Sequence, residues 1–421
     1  MFQSDNENVQ KMYETAKKVY KQYGVDTDKA MKQFREIPIS LHCWQGDDVK
    51  GFEYQEGVVS QNLVTGNYPG AARNGNDLRL DIDKAFSMSP SKHRVNLHSM
   101  YAESETKTER NEVGFEDFEK WAVWAKKNDY GVDFNASFFT HDMMKNGFSL
   151  ASPDKEVRDY WIKAGIGARE ISDEFGKMLG TPCVNNIWIP DGHKDIPANR
   201  LSYRKFLVDS LDQILDKKFD KANVIDVLEG KLFGIGTESF VVGSHEFYMG
   251  YAVKNGCGVC MDTGHYHPTE SVVDKLTAAT LFVDDILLHI SRGIRWDSDH
   301  ILIQGDDLSN LMFELKRADL FGKIAMGLDY FDASINRVAA WVIGLRAYGK
   351  ALTAALLEPT TMIFEAEAKE DFTSRLALME EFKNLPINPV WDMICMENNV
   401  PVGSEWIQDL KKYEQDVQLK R

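Results

Sequence analysis

Short apolar runs recur along the chain, and between them lie longer stretches whose apolar residues return every three or four positions. The runs are ISLHCW (39–44), RVNLHSMY (94–101), GVDFNAS (131–137), CVNNIWI (183–189), NVIDVLEGKLF (223–233), GVCMDTGH (258–265), ILLHISRG (286–293) and KIAMGLDYF (323–331). They are mostly apolar and β-branched rather than cleanly alternating, as parallel strands covered on both faces are. Between many of them the helical period takes over. One helix is predicted over 115–128, with Phe118, Trp121, Ala122 and Ala125 on one face. Another is predicted over 154–179, opened by Ser152 as N-cap with Pro153 in the first turn, and closed by Gly180. Helices over 272–282 and 308–321 connect later strands. The N-terminus is also amphipathic, with Val9, Met12, Tyr13, Ala16, Val19, Tyr20 and Tyr23 on one stripe.

Eight strands alternating with helices predict an α/β fold, a (β/α)8 TIM barrel. A doubly wound sheet would want a Gly-rich phosphate turn after its first strand, and CWQGDDVKGFE is not one. From Asn336 onward the pattern is helical, with no further strand. The chain therefore divides into a barrel with its N-terminal helix over 1–335 and a helical C-terminal extension over 336–421, expected at a subunit interface. No internal repeat or low-complexity tract interrupts it.

Composition narrows the function classes. The chain has 421 residues, 43% of them hydrophobic, which is ample for one large core. Its 49 basic and 65 acidic side chains leave a formal charge of −16, which argues against nucleic acid or an anionic membrane as partner. No apolar stretch approaches the ~20 residues that span a bilayer. The N-terminus has no signal-peptide run, so the expected location is the cytoplasm. Five cysteines are too few and too scattered for a disulfide framework. Cys257 and Cys260 copy the CxxC spacing, but no second pair exists and Cys260 lies within an apolar run, so the pair reads as structural.

Reactive residues of such barrels sit at the C-terminal ends of the strands. The fifth run ends near Glu229 and Lys231, and the sixth ends with Asp262 and His265. The seventh carries His289 and continues into Asp297 and Asp299. The eighth ends at Asp329. Five carboxylates converging on one mouth repel one another unless cations neutralise them. Two hard divalent metals sharing one carboxylate suit this set, and oxygen and imidazole ligands without thiolate point to Mn2+, Mg2+ or Co2+. Asp297 and Asp299, two apart, share one side of an extended chain, whereas Asp262 and His265 need a bend that Gly264 can supply. Each residue also has a plainer reading. Asp297 and Asp299 fit a solvated loop, His289 a bonded core histidine, Glu229 with Lys231 a surface ion pair, and Asp329 a turn cap. MDTGHYHPTE alone is equally a turn. In a barrel, co-occurrence on consecutive strand ends favours the metal reading. His267 reads as structural, because Pro268 leads the chain away.

Several segments resemble the bacterial L-rhamnose isomerase family: ESFVVGSHEFYMGYA, MDTGHYHPTE, LLHISRGIRWDSDH, GLDYFDASINRVAAWVIG and ALLEPT, and in the first half CWQGDDVKGFE, TGNYPGAARN and NIWIPDG. The resemblance covers essentially the whole chain. It implies a barrel of the xylose-isomerase type, a homotetramer, and conversion of L-rhamnose to L-rhamnulose in rhamnose catabolism. It further implies that Glu229, Asp262, His289 and Asp329 hold a structural metal. His265, Asp297 and Asp299 would hold a catalytic one, with Asp262 near both. Lys231 resembles the lysine beside the substrate, His98 a histidine that contacts the sugar, and Trp188 an aromatic wall.

Moving hydrogen between C1 and C2 of a sugar proceeds through an enediol with a general base, or by hydride transfer assisted by metals. The constellation favours the second, with Lys231 stabilising developing negative charge and Asp329 beside the proton shuttle. Two rival readings stand beside it. A metal-dependent sugar epimerase of the same fold would use one metal and two facing acids. A carbohydrate-binding protein would need neither a second metal nor the lysine.

Overall fold

The computed structural model describes residues 5–53, 65–234, 236–295 and 299–421. Two helices, α1 (Asn6–Gln22) and α2 (Thr27–Glu36), precede the first strand. Eight strands then close into one parallel barrel: β1 (Pro38–Leu41), β2 (Lys92–His98), β3 (Gly131–Asn135), β4 (Cys183–Trp188), β5 (Val224–Glu229), β6 (Gly258–Asp262), β7 (Ile286–Ile290) and β8 (Ala325–Leu328). Neighbours in sequence are neighbours in the barrel. The ring closes where Ser40 and Leu41 of β1 stand opposite Gly327 and Leu328 of β8. Every predicted run thus contributes one strand. β3, β6 and β7 are buried along their whole length, which is why their sequences do not alternate.

The crossovers are α3 (Gly75–Phe86), α4 (Glu119–Asn128), α5 (Lys155–Leu179), α6 (Arg200–Ile214), α7 (His245–Asn255), α8 (Val273–Ala279) and α9 (Asp306–Arg317). α5 begins slightly later than expected: its N-cap is Asp154, whose carboxylate accepts the Glu156 N–H at 3.0 Å. Ser152 instead accepts the Asp154 N–H at 3.2 Å, just upstream of the cap. The C-terminal stop is as predicted, with Gly180 in the left-handed region at φ 68°. α8 is shorter than the 272–282 pattern, and Leu281 and Phe282 beyond it are 78% and 70% exposed.

After β8 comes α10 (Arg337–Leu356), which packs against both α9 and α3 and so takes the place of the eighth barrel helix. Packing therefore joins 337–356 to the barrel, although the helical pattern alone groups them with the C-terminal helices. α11 (Thr360–Ala368), α12 (Phe372–Glu381), α13 (Ile387–Glu397) and α14 (Trp406–Asp416) complete the chain. α1 lies against α13, and α2 against α10 and α13, so the N-terminal helices and α13 gather on one side of the barrel. Among the described residues, no helix is long and apolar enough to cross a membrane. All five cysteines are unpaired.

Candidate metal centre

The strand ends put chemistry at one mouth. Glu229 and Asp262 are the last residues of β5 and β6, His289 is the penultimate residue of β7, and Asp329 directly follows β8. Register aligns them, with Asp262 opposite His289 in the ladder. One ligand atom from each of Glu229, Asp262, His289 and Asp329 lies within 4.8 Å of the others, and all four are buried. His289 Nδ1 stands 3.0 Å from Asp329, 3.5 Å from Asp262 and 3.5 Å from Glu229.

Burying three carboxylates around one imidazole is costly without compensating charge. Burial pushes Asp329 up to about 6, against the opposing pull of His289. Burial also opposes ionisation of Glu229, but His289 and His265 outweigh it and hold that carboxyl well below the usual range. His289 is driven well above the ordinary imidazole range: burial disfavours its charge, yet the carboxylates of Asp329, Glu229 and Asp262 overcome it. The group as it stands wants a cation. Two of its atoms, His289 Nδ1 and Asp329 Oδ1, are buried without a hydrogen-bond partner. Three carboxylates and one imidazole form a donor set for a hard or borderline divalent ion, and the residues fit one. Cys260 Sγ also lies within reach of Glu229 and His289, but burial pushes its thiol up and keeps it protonated.

His265 sits at the edge of this cluster. Its Nδ1 is 3.1 Å from Glu229 and 3.2 Å from the Gly230 carbonyl. The bend that brings it there is fastened by Asp262, whose carboxylate accepts the Gly264 N–H at 2.6 Å and whose carbonyl accepts the His265 N–H at 3.2 Å. Asp299 has a left-handed φ of 47°, and its carbonyl accepts the Phe331 N–H at 3.0 Å, which ties it to the exit of β8. Among the described residues it joins no ligand cluster. Asp297 lies outside the described residues. His267 is exposed and bonded to Thr269 at 2.7 Å.

Lys231, two residues past the end of β5, holds its Nζ 5.4 Å from the centre of the Trp188 ring. Trp188 ends β4 and its indole packs edge-on against Phe139, with ring centres 5.3 Å apart. His98 ends β2. Its Nδ1 bonds Ser137 at 2.9 Å, while its Nε2 is buried with no partner. Burial holds that ring well below its usual range and therefore neutral. Trp44 crosses the His98 ring at 3.5 Å and stacks on Phe139 at 5.8 Å, and Phe331 lies 4.9 Å from it. The mouth is thus an acidic floor with an aromatic wall and a lysine.

Sequence reasoning missed Trp44, Phe139, Phe331, Asn186 and His42. Asn186 donates to Glu229 Oε2 at 2.5 Å. His42 Nδ1 faces His289 Nε2 at 2.8 Å, and burial drives His42 down to about 4. A polar residue inside an apolar strand run was the available signal, but it is the same signal that any bonded core residue gives.

The family model for L-rhamnose isomerase matches residues 7–421. The L-rhamnose isomerase of Listeria monocytogenes is 49% identical over 98% of this chain and 99% of its own length. That of Rhodopirellula baltica is 48% identical over 98% and 97%, and that of Escherichia coli 48% over 98% and 99%. With matches of this extent, the chain belongs to the L-rhamnose isomerase family.

Proposed function

We propose that the protein is an aldose–ketose isomerase that converts L-rhamnose to L-rhamnulose, the first step of L-rhamnose catabolism. The observation that carries this reading is the convergence of Glu229, Asp262, His289 and Asp329 at the barrel mouth, beside Lys231 and an aromatic wall. These four residues are assigned one divalent ion. His265, Asp297 and Asp299, with Asp262 near both, are assigned a second. Mn2+ is the ion we favour, with Mg2+ and Co2+ sharing the same ligand preference. When bound, such ions supply Lewis acidity to the sugar's carbonyl and adjacent hydroxyl, the setting of a two-metal hydride shift.

The chain's own residues do the rest. Trp188, Trp44 and Phe139 present flat apolar faces to the sugar and exclude water. His98, fixed by Ser137, offers Nε2 to a sugar hydroxyl. Lys231 stabilises negative charge that develops on oxygen. Asp329 holds or passes the proton that moves between O1 and O2. A homotetramer is assigned through the C-terminal helices, where Phe364, Phe372 and Leu376 are 48%, 55% and 57% exposed. The five unpaired cysteines support the cytoplasm as location.

The test is an isomerisation assay with L-rhamnose, L-mannose, L-lyxose and D-allose, on protein stripped by chelator and then given Mn2+. Turnover of L-rhamnose that vanishes with the metal and returns with it is expected; none under any metal overturns the assignment. Running the reaction in D2O separates the chemistry. A hydride shift leaves little deuterium at the transferred position, and extensive labelling would mean an enediol.

A further inference from the structure

The residue behind His289 is another histidine. His42 follows β1 and is completely buried, at 0% exposure. Its backbone N–H donates to the Leu328 carbonyl at 2.9 Å, so its place is set by the closing seam of the barrel. Its Nδ1 meets His289 Nε2 at 2.8 Å, with the two rings edge to face at 74°. On its far side, Nε2 is buried without a hydrogen-bond partner, and Asp133 Oδ2 lies 3.9 Å from it. That carboxylate is anchored by Arg94 at 2.7 Å and by the Val184 N–H at 3.0 Å. β8 makes room for the ring: a Cβ on Gly327 would stand 2.7 Å from His42 Cδ2.

We propose that His42 is a positioning residue that fixes His289 in the tautomer able to bind a divalent cation. The inference rests on the metal reading given above. His289 turns Nδ1 toward Glu229, Asp262 and Asp329, so cation binding needs a lone pair on Nδ1 and therefore a hydrogen on Nε2. That hydrogen needs an acceptor, and the atom facing it is His42 Nδ1. His42 then carries its own hydrogen on Nε2. The anchored carboxylate of Asp133 favours this arrangement across 3.9 Å of buried, low-dielectric space. The order is Arg94, Asp133, His42, His289, cation: Arg94 holds the carboxylate, the carboxylate favours the hydrogen on His42 Nε2, and His42 Nδ1 is then left to accept the hydrogen of His289 Nε2.

The test is Mn2+ affinity, measured by competition with a chromophoric chelator, together with the melting temperature of each metal-free protein. His42→Asn keeps an acceptor where Nδ1 was. His42→Gln moves it to where Nε2 was, and His42→Leu removes it. The expected result is near-normal affinity for His42→Asn and about ten- to hundredfold weaker binding for the Gln and Leu variants. If His42→Leu does not fold, the Asn and Gln pair still decides. Equal affinity in all variants, or Asn as weak as Gln, overturns the proposal. Asp262→Asn distinguishes failure of the metal site from failure of its support. If it binds Mn2+ like the parent, the metal reading itself fails and takes this inference with it. If it loses the ion while the Gln and Leu variants of His42 keep theirs, only the role of His42 falls.

Discussion

Asp191 belongs to no ligand cluster among the described residues, yet it shapes the mouth. It is wholly buried, and its carboxylate accepts the Ser149 N–H at 2.8 Å, the Ser149 hydroxyl at 2.6 Å and the Ala151 N–H at 2.7 Å. It therefore pins the segment after β3 to the segment after β4. Burial nevertheless pushes its carboxyl up to about 6, with those three bonds pulling the other way. Between the ordinary value of 3.8 and about 6, the folded state holds a proton that the unfolded state has lost. This group's contribution to stability is then fullest below that window and shrinks by about 3 kcal/mol as pH rises through it. Denaturant titrations of metal-free parent and Asp191→Asn should show a stability gap that narrows from pH 4 to pH 7. A gap independent of pH would mean that the carboxyl titrates normally. Residues of this kind were not legible in the sequence. Glu229, Asp262, His289 and Asp329 stood out because four successive strand ends each offered a ligand type. Asp191 in NIWIPDG and His42 in ISLHCW are supports, whose partners come from other strands and leave no spacing to read.

At the scale of elements, the apolar runs located all eight strands because full burial demands continuous apolar sequence. Helix boundaries were less legible. Asp154 and Ser152 are comparable N-caps, and only the geometry of the turn decides between them. The place of α10 was hidden for another reason: the helical period is the same whether a helix covers a barrel or lies outside it. What seats α10 is a close approach. Tyr330, just past β8, donates its hydroxyl to the Ala340 carbonyl at 2.7 Å, and a Cβ on Gly344 would run into that hydroxyl oxygen. Gly344→Ala should cost about 1–3 kcal/mol through overpacking. Tyr330→Phe removes the obstructing oxygen, so in a double-mutant cycle the pair should cost less than the sum of the two single changes. Strict additivity would show that Gly344 does not make room for the tyrosine.

For the whole molecule, a formal charge of −16 coexists with a buried knot of carboxylates, and the proposed metal site predicts that metal and stability are linked. Saturating Mn2+ should raise the unfolding free energy by about 2.7 kcal/mol at a hundredfold excess over Kd, and by about 4.1 at a thousandfold. Scanning calorimetry with Mn2+ and with chelator checks this; identical melting temperatures would count against a folded-state ion. The seam between β1 and β8 has a further consequence, for the order of events as the chain folds. All four clustered ligands come from the stretch between Glu229 and Asp329, and their strands can pair in sequence as they are made. The ring itself closes only when β1 pairs with β8, a seam across which Cys43 Sγ and the Leu328 carbonyl, 285 residues apart, also meet. Contacts of such separation carry the largest loop-closure entropy and form late. On the roles proposed above for the cluster and for His42, loose capture of an ion can precede that step but firm retention waits for it, because β1 delivers the ring that backs His289. If the proposed site binds Mn2+, the rate at which the refolding chain begins to hold that ion is a clock for barrel closure.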